Sequence, residues 1–449
     1  MRETNAEKEF AYEFPTAAGI RYRVAIGILG VLVLAGLVAW INQLIFGLGE
    51  TGMKNSVNWG IYMTNFVFFI GISHAGTLIS AVLRLLNAEW RRPITRVAEA
   101  ITVFALLLGG FQLVLDSGRP LRLVNVFVLG RLQSPLLWDL ASVSVYFASA
   151  CFYLLLPLIP DLGALRNQPG LTQLQKKTYA ALSSGWNNSS RQQQRLKRVI
   201  GIMAILIIPI MVSVHSVVSW IFGLTVRYMW HSSIFGPYFV VGAIFSGVAA
   251  VVLSVAVMRR TMRLEAHLTA LHFNKLGALL LVMACLWFYF TLAEYLTTGY
   301  GGMTAELAVL KMKLSGEFAL AFWAMILCMA SAFVLLLLRK KSVIGMTTAA
   351  SALIVVGMWL ERFTIIVPTL TKPLEEGYNF GLYRPTLTEW VISSGSLAGF
   401  ALLLIVFARF FPIISLWEIQ EAKDPTRESN IGCTAPLISG AGELVETNV

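Results

Sequence analysis

Residues 58–84 read NWGIYMTNFVFFIGISHAGTLISAVLR, and this stretch decides the fold. It is apolar and long enough to cross a bilayer, which takes about 20 residues. On a helix with about 100° per residue, its polar side chains fall within about 60° of one line. They are Asn58, Tyr62, Asn65, Ser73, Thr77, Ser80 and Arg84, with His74 on the flank. Because lipid offers these groups no hydrogen-bond partner, the helix is predicted to face other helices or a small-molecule site between them.

The amino-acid composition indicates a membrane protein. Hydrophobic residues make up 57% of the 449 residues and charged residues 13%, about half the charged share of a soluble domain. Apolar runs long enough to span a bilayer predict ten helices. They cover residues 22–46, 59–86, 94–115, 134–158, 199–227, 234–258, 273–298, 315–338, 343–368 and 389–412. The predicted fold class is an all-α polytopic membrane protein.

The distribution of Lys and Arg predicts the orientation. The connections after the second, fourth, sixth and eighth helices carry 18 of these residues, whereas the five opposite connections carry nine. Because the side richer in these residues is usually cytoplasmic, both termini are predicted to lie inside the cell. Residues 1–21 and 413–449 are then cytoplasmic segments. The net charge of +11 is attributed to basic loops and not to nucleic-acid binding.

A short repeat relates the two halves of the chain. The second helix contains G-I-S-H-A-G from Gly71, and the sixth contains G-A-I-F-S-G from Gly242. The sixth helix lies four places after the second, so both helices run in the same direction. Two interpretations fit the repeat: a duplication that gives two parallel four-helix bundles, or small residues at ordinary helix-packing sites.

Ionisable side chains inside the spans are functional candidates, because a charge is costly in a bilayer. Those toward the predicted external side are Asp116, Asp139, Glu294, Glu361 and Arg362. Glu361 and Arg362 are neighbours about 100° apart on a helix, so each is predicted to pair with another helix. Asp139 lies opposite the external end of the second helix, and Arg119 or Arg131 is its predicted ion-pair partner.

A quinol suits such a site, since it partitions into lipid and its ring hydroxyls need hydrogen-bond partners. Its oxidation releases two protons, and Asp139 is predicted to accept one of them as a general base. Asp116 is expected to lie close to Asp139. Two neighbouring carboxyls do not ionise together easily, so one of the pair would remain available as a base.

Histidines and cysteines offer little for a redox centre. His74 and His215 lie at similar depth in their spans, which permits a bis-histidine haem, but a hydrogen-bonded structural role is the prediction. The four cysteines are scattered and form no C-x-x-C pair. The chain is therefore predicted to hold no haem, no iron–sulfur cluster and no metal ion.

Five stretches, taken in order, resemble one protein family. They read WGIYMTNFVFFIGISHAGTLIS at 59–80, SPLLWDLASVSVYF at 134–147, SVHSVVSWIFG at 213–223, MWHSSIFGPYFVVGAIFSG at 229–247 and MWLERFTIIV at 358–367. The chain from Val57 to Trp390 resembles the NrfD/PsrC family, the membrane subunits of polysulfide reductase and other bacterial quinone-linked iron–sulfur complexes. It is most similar to the ActC/ActF subunits of alternative complex III.

The resemblance implies an architecture and a set of partners. A first bundle at 57–230 and a second at 231–368 are flanked by single helices at 22–46 and 389–412. The implied function is that of a subunit of a respiratory or photosynthetic quinol:electron acceptor oxidoreductase in the bacterial inner (plasma) membrane. Menaquinol or ubiquinol would be oxidised near the external face, with possible coupling to proton translocation. The implied partners are an external iron–sulfur protein, c-type cytochrome subunits and a paralogous membrane subunit, with no cofactor bound covalently to this chain.

The resemblance and the polar pattern together give the candidate residues. The catalytic pair is Asp139 with Asp116. The candidate quinol-binding residues are Trp138, Arg119, Tyr62, Asn65 and His74. A proton path is predicted through Ser73, Thr77, Ser80, Glu294, Glu361, Arg362 and His215.

One position departs from the family pattern. Quinol-binding members carry a histidine before the G-R at the end of the third helix, where this sequence has Asp116 in L-D-S-G-R-P. A carboxylate can still bond a quinol hydroxyl, so the site can persist with altered chemistry. Two alternatives remain open: a paralogue that binds no quinol and serves a structural or proton-conducting role, and a stand-alone secondary transporter or proton channel.

Overall fold

The computed structural model describes residues 20–418 except 167, 169, 184, 226 and 373–380. Within those ranges the chain is helical and has no β-strand. Ten helices are long and apolar enough to cross a membrane, which confirms the predicted all-α polytopic fold. They are α1 (Ile20–Phe46), α2 (Ile61–Leu85), α3 (Arg92–Asp116), α4 (Pro135–Leu165), α5 (Ser190–Gly223), α6 (Phe235–Thr261), α7 (Ala270–Gly301), α8 (Ala319–Leu337), α9 (Val343–Thr371) and α10 (Leu387–Phe410). The predicted cytoplasmic segments before residue 20 and beyond residue 418 lie outside the described residues.

Helix α2, which carries the polar line of the sequence, lies at the centre of the molecule. Every residue from Ile61 to Thr77 is buried. In the most apolar part of α2, 83% of the residues are buried, compared with 6% of the residues in the most apolar part of α1. It packs against α3, α5, α6, α9 and α10. The prediction that this helix faces other helices is therefore confirmed.

The two repeated glycine motifs pack on each other where α2 crosses α6. A Cβ atom on Gly71 would lie 3.2 Å from the hydroxyl of Ser246, and one on Gly247 would lie 2.7 Å from the Cβ of Ala75. The two backbones approach so closely because neither glycine has a side chain. The helix-packing interpretation of the repeat is confirmed, while duplication stays a prediction.

The remaining helices form neighbouring pairs on both sides of this crossing. On one side α3 packs on α2, α4 on α3, and α5 on α4; on the other, α6 packs on α7 and α9, and α8 on α9. Helix α1 packs along α10, where a Cβ on Gly36 would lie 3.0 Å from the Cα of Gly395. The division of the chain into units ending at residues 230 and 368 stays a prediction.

The chain after α10 folds back beneath the first helices as a short clasp, residues 412–418. Ile413, Ile414, Ser415 and Glu418 are buried there. The carboxylate of Asp161 at the end of α4 accepts hydrogen bonds from the backbone N–H groups of residues 416 and 417. The clasp therefore joins the last helix to the end of α4, on the side that is predicted to be cytoplasmic.

Candidate functional site

Hydrogen bonds to one backbone carbonyl fix how α2, α3 and α4 lie along one another. The carbonyl of Ser73 accepts a bond from the Thr102 hydroxyl of α3 at 2.8 Å and from the Tyr146 hydroxyl of α4 at 3.1 Å. With about 1.5 Å per residue, Gln112 lies roughly 15 Å and Asp139 roughly 10 Å from this point, both toward the start of α2. The two side chains therefore lie at similar heights on helices that pack together.

Several buried polar atoms at this end of the helices have no partner among the described residues. Gln112 is 0% exposed and Asp139 3% exposed. Within the described chain, neither amide atom of Gln112 has a hydrogen-bond partner, and the same holds for Oδ1 of Asp139 and Oδ1 of Asp116. Buried polar groups in proteins are almost always bonded to protein or water. Each of these atoms is therefore suited to bind a polar ligand or ordered water.

The structure separates Asp139 from the neighbours that the sequence assigned to it. Trp138 is 39% exposed, and its indole N–H donates to the carbonyl of Leu132 at 2.5 Å. Arg119 and Arg131 are exposed, and neither forms an ion pair with Asp139 in the part of the chain that is described. The predicted ion pair is wrong, because consecutive residues of a helix point about 100° apart and the loop between α3 and α4 keeps both guanidinium groups outside.

Asp116 belongs to a different electrostatic environment from Asp139. It lies close enough to the carboxyl of Glu389 on α10 and to the hydroxyl of Tyr62 on α2 to interact electrostatically with both. No comparable interaction with Asp139 is found among the described residues. The predicted coupling of the two acids is therefore wrong, and each carboxyl has to be considered by itself.

Tyr62 connects three helices at this end. Its hydroxyl donates to Gln43 of α1 at 2.6 Å, and the amide of Gln43 donates in turn to the carbonyl of Leu115 at 3.0 Å. Tyr62 and Gln43 are both buried. This chain of bonds holds the last turn of α3 in place, one residue before Asp116.

Glu389 holds the loops that lead into α2 and α10. Its carboxylate accepts bonds from the Tyr383 hydroxyl at 2.6 Å and from the backbone N–H of Gly52 at 2.8 Å. Burial and the charge of Glu389 both raise the pKa of Tyr383, which stays protonated as a donor. The same hydroxyl accepts the backbone N–H of Ile61, the first residue of α2. The start of the central helix is thus bonded to the last one.

Asn65 also serves as a connection between helices. Its side-chain N–H donates to the hydroxyl of Ser393 on α10 at 2.9 Å, and its oxygen accepts the indole N–H of Trp359 on α9 at 2.8 Å. Both amide atoms are bonded to helices other than α3 and α4. The structure therefore brings Asn65 to α9 and α10 and not to Asp139.

The two histidines in the spans form a pair deeper in the molecule. The ring nitrogens of His74 lie 2.8 Å from the carbonyl oxygen of Ile70 and 2.9 Å from that of Met211, which confirms the hydrogen-bonded structural role for His74. The ring of His215 lies 4.3 Å away between centroids, and neither of its nitrogens has a partner within the described chain, so the same prediction is wrong for His215. His74 is twelve residues from Tyr62, or about 18 Å along α2, so one quinol ring does not span both.

Further polar side chains of α2 lie between His74 and the clasp. Thr77 shares a 2.7 Å hydrogen bond with the hydroxyl of Tyr146. One turn further, the hydroxyl of Ser80 lies 2.5 Å from the carboxylate of Glu99 and 3.2 Å from the hydroxyl of Tyr153. Ser80 lies in a π-helical turn of α2 over Leu78–Val82. Such turns are often found at functional sites.

A second buried polar cluster lies between α6, α7 and α9. Glu361 and Arg362 form an ion pair with each other at 2.6 Å, both 1% exposed, and the indole N–H of Trp287 donates to Glu361 at 2.9 Å. The prediction that Glu361 and Arg362 each pair with a residue of another helix is wrong for the ion pair. Both side chains are long, so they bend to meet each other although their Cβ atoms point in different directions. Arg362 also lies over the ring of Phe239 at 5.0 Å. Glu294, at the end of α7, accepts the hydroxyl of Ser232 at 2.6 Å.

Two buried residues of the first helices were missed in the sequence. Gln112 and Glu99 both lie on the buried face of α3. The sequence signal for Glu99 was a charged residue in the apolar stretch RVAEAITVFALLL. Gln112 is an uncharged polar residue in the apolar stretch LLLGGFQLVLD. Within the described residues there is no group of three or more His, Cys, Asp or Glu side chains that could hold a metal ion.

Comparison with known proteins gives matches along most of the chain. A selenate reductase subunit of Mesobacillus selenatarsenatis is 23% identical over 409 residues, 86% of this chain and 93% of that protein. The Hdr-like menaquinol oxidoreductase integral membrane subunit of Archaeoglobus fulgidus is 24% identical over 434 residues, 92% of this chain and 99% of that protein. A putative dimethyl sulfoxide reductase membrane subunit of Halobacterium salinarum is 30% identical over 223 residues, 49% of this chain. The match covers about half of that last relative, 48% of its length.

A family match agrees with these relatives. The family described as polysulphide reductase, NrfD, matches residues 49–373. That range begins just before α2 and ends just after α9, so it includes both sides of the α2–α6 crossing. With this match over more than half of its length, the chain belongs to the NrfD family of polysulphide reductase membrane proteins.

Proposed function

We propose that this chain is the membrane subunit of a quinol oxidoreductase complex and that it binds a quinol beside Asp139, between α2, α3 and α4. The observation that carries the proposal is the carboxylate of Asp139, which is 3% exposed and has an Oδ1 atom without a partner among the described residues. An acidic side chain in a membrane span is energetically costly, so its presence there indicates a function. Proton acceptance from a lipid-soluble substrate is such a task.

The relatives support the same class of function. Two are subunits of reductases, and a third is a menaquinol oxidoreductase subunit. Menaquinol or ubiquinol is the proposed substrate. The proposed partners are an external iron–sulfur protein, c-type cytochrome subunits and a paralogous membrane subunit, as in alternative complex III. The proposed location is the inner (plasma) membrane of a bacterial cell, with both termini in the cytoplasm.

The proposed reaction divides its tasks between this chain and its partners. Oxidation of a quinol breaks two O–H bonds and releases two protons and two electrons. In this proposal Asp139 accepts one proton, and the electrons pass to the iron–sulfur partner. Asp116, about one turn beyond Gln112 on α3, accepts a hydrogen bond near the end of the helices, and the second proton passes to water on the external side. Of the other candidates, Trp138 and Arg119 border the site from outside, while Tyr62 supports it through Gln43.

A second candidate function rests on the polar side chains deeper in the molecule. The Ser80–Glu99 bond, the Thr77–Tyr146 bond and the unpartnered ring of His215 lie between Asp139 and the clasp. A proton path through these residues would either accompany quinol oxidation or be the main task of a paralogue that binds no quinol. The Glu361–Arg362 cluster would serve the second bundle in the same way.

The substitution Asp139→Asn tests the quinol site. Asparagine keeps the shape of the side chain but removes the base, so quinol-dependent electron transfer in the assembled complex should fall by roughly 10² to 10⁴-fold. Asp116→Asn should reduce it less, because an amide still offers a hydrogen bond. Turnover is measured in the purified complex with a soluble quinol analogue and an artificial electron acceptor.

Glu317→Gln is the matched control for these substitutions. Glu317 is an exposed acid before α8, so the same loss of a charge should leave turnover unchanged. Normal turnover of Asp139→Asn in a fully assembled complex would rule out a quinol site at this position. It would leave the non-quinol paralogue as the better explanation.

A further inference from the structure

We propose that the segment between α3 and α4, residues 119–132, is a membrane-binding surface that lies among the phospholipid headgroups. Its apolar side chains enter the outer part of the hydrocarbon, and its arginines bind lipid phosphates. The segment reads RPLRLVNVFVLGRL and forms a 3₁₀ turn followed by a short helix at Val124–Val128. The inference concerns a surface outside the site at Asp139 and does not depend on quinol binding there.

The segment exposes a continuous apolar surface. Its large apolar side chains are more than half exposed, and Leu121 is exposed to 89%. They are Leu121, Val124, Phe127, Val128, Leu129 and Leu132. A contiguous exposed apolar patch of this kind marks a surface that binds a protein or a membrane. The charges, neighbours and backbone of the segment indicate which of the two covers it.

The charges of the segment complement those of phospholipid phosphates. Arg119, Arg122 and Arg131 are all exposed, and residues 117–134 contain no acidic residue. The arginines lie at both ends of the apolar part, two near its start and one near its end. A long arginine side chain can extend from an apolar surface to the level of the phosphates. The segment therefore combines apolar side chains with positive charges, as membrane-binding segments do.

The segment is continuous with the exposed side of α4. Trp138, Val145 and Phe152 follow one another at two-turn intervals on this side and are 39%, 53% and 56% exposed. On a spanning helix such an apolar stripe is suited to face lipid. The indole N–H of Trp138 donates to the carbonyl of Leu132 at 2.5 Å, which holds the end of the segment at the top of the stripe. Tryptophan at the end of a spanning helix is typical of the headgroup level.

The backbone limits how deep the segment can lie. Within the described chain, the N–H groups of residues 130–133 form no backbone hydrogen bond, and the side chain of Asn125 is exposed in the middle of the apolar part. Irregular backbone with unbonded polar groups does not occur where it faces hydrocarbon. Among the headgroups, water and phosphate oxygens accept these bonds. The segment therefore fits the headgroup level, with only its apolar side chains reaching the hydrocarbon.

The composition of the apolar surface favours lipid over a partner protein. Five of its six large side chains are Leu or Val, and the sixth is Phe127. At protein interfaces Trp, Tyr and Arg supply most of the binding energy, whereas Leu and Val are under-represented. Lipid tails bind aliphatic side chains without any shape complementarity. A protein cover is the alternative that the experiment has to exclude.

A spin label at position 128 tests the location in the assembled complex. Val128→Cys, in a background without the four native cysteines, carries a nitroxide in nanodiscs of phosphatidylethanolamine and phosphatidylglycerol. Oxygen concentrates in lipid and a nickel chelate stays in water, so the ratio of their collision rates with the label reports its depth. We expect several-fold more collisions with oxygen than with the chelate, and a depth of about 5–10 Å. Val145→Cys on the exposed side of α4 is the lipid control, and Ser190→Cys at the polar start of α5 is the water control.

Replacing the arginines tests the phosphate contacts. The combined variant Arg119→Gln, Arg122→Gln and Arg131→Gln should shift the ratio at position 128 several-fold toward the chelate. The matched control replaces three exposed arginines at the start of α5 and should leave the ratio unchanged: Arg191→Gln, Arg195→Gln and Arg198→Gln.

Three results would overturn the inference. More collisions with the chelate than with oxygen at position 128 would place the segment in water. Exclusion of both reagents in the complex would show that a protein covers the segment. An unchanged ratio in the variant without the three arginines would show that they do not hold the segment to lipid phosphates.

Discussion

At the scale of single residues, Glu418 shows how a buried carboxylate stabilises this protein. It is 2% exposed and lies between two arginines, with N–O distances of 2.5 Å to Arg84 and 3.0 Å to Arg91. Burial by itself would raise the pKa of Glu418, but the arginines outweigh it and lower the pKa below its ordinary value of 4.5. The ion pairs therefore stabilise the fold above about pH 4.5, and this contribution is lost as the pH falls further, through the lowered pKa.

We expect Glu418→Gln to lower the free energy of unfolding by about 3 kcal/mol at neutral pH, since it leaves two guanidinium groups without their carboxylate. Thermal unfolding of the complex in detergent measures the loss, and the difference from wild type should shrink below about pH 4.5. Glu89→Gln is the control: Glu89 pairs with Arg92, but its side chain is 64% exposed, so the loss should be about 0–1 kcal/mol. Equal losses in the two variants would contradict the prediction.

The sequence predicts which residue types form the candidate site better than it predicts which residues contact one another there. Asp139 was found from the cost of a charge in an apolar span, and it is buried as that argument requires. Its neighbour Trp138 faces outward, and the arginines stay in the loop, because which side of a helix is covered depends on the other helices. Gln112 carries no charge and so gave no signal in the sequence. Only the missing hydrogen-bond partners, a property of the folded chain, draw attention to it.

At the scale of elements, the number of helices follows from hydropathy but their ends do not. Helix α4 was predicted to end at residue 158, yet it runs through Pro157 and Pro160 to Leu165. Helix α5 was predicted from residue 199 and begins at Ser190. Both differences are at the end predicted to be cytoplasmic: α4 continues past its two prolines, and α5 begins in the polar sequence SRQQQRLKR. Hydropathy detects the apolar part of a helix, whereas hydrogen bonding and capping decide where it ends.

The α2–α6 crossing leaves no room for added side-chain volume. A Cβ on Gly247 would lie 2.7 Å from the Ala75 Cβ and 2.8 Å from the Ile72 carbonyl oxygen, so Gly247→Ala must push the two helices apart. Overpacking of this kind costs about 1–3 kcal/mol. We expect a lower unfolding temperature and less assembled complex, as measured by thermal unfolding and size-exclusion chromatography.

Gly110→Ala is the matched control on α3. A Cβ there would meet no atom within 4 Å, so the higher helix propensity of alanine should leave stability unchanged or raise it by up to about 1 kcal/mol. The same chemical change is thus expected to destabilise the protein at Gly247 and not at Gly110. A neutral Gly247→Ala would mean that the crossing tolerates a wider separation of α2 and α6.

At the scale of the whole molecule, the orientation in the membrane decides what the site can contact. Asp139 and Gln112 lie near one end of the helices, whereas the clasp and Glu418 lie near the other. The excess of basic residues predicts that the clasp end is cytoplasmic. An iron–sulfur partner that receives electrons from the proposed site would then have to bind on the external side.

Cysteine labelling in intact cells tests the orientation. In a background that lacks the four native cysteines, Gln133→Cys and Ser190→Cys place one thiol before α4 and one at the start of α5. Both positions are exposed, and α4 and α5 pack as antiparallel neighbours, so the two thiols lie on opposite sides of the membrane. An impermeant maleimide added outside should label the thiol at position 133 and reach the one at 190 only after the cells are opened. The reverse pattern would place Asp139 and Gln112 toward the cytoplasm, and the iron–sulfur partner would have to be sought there.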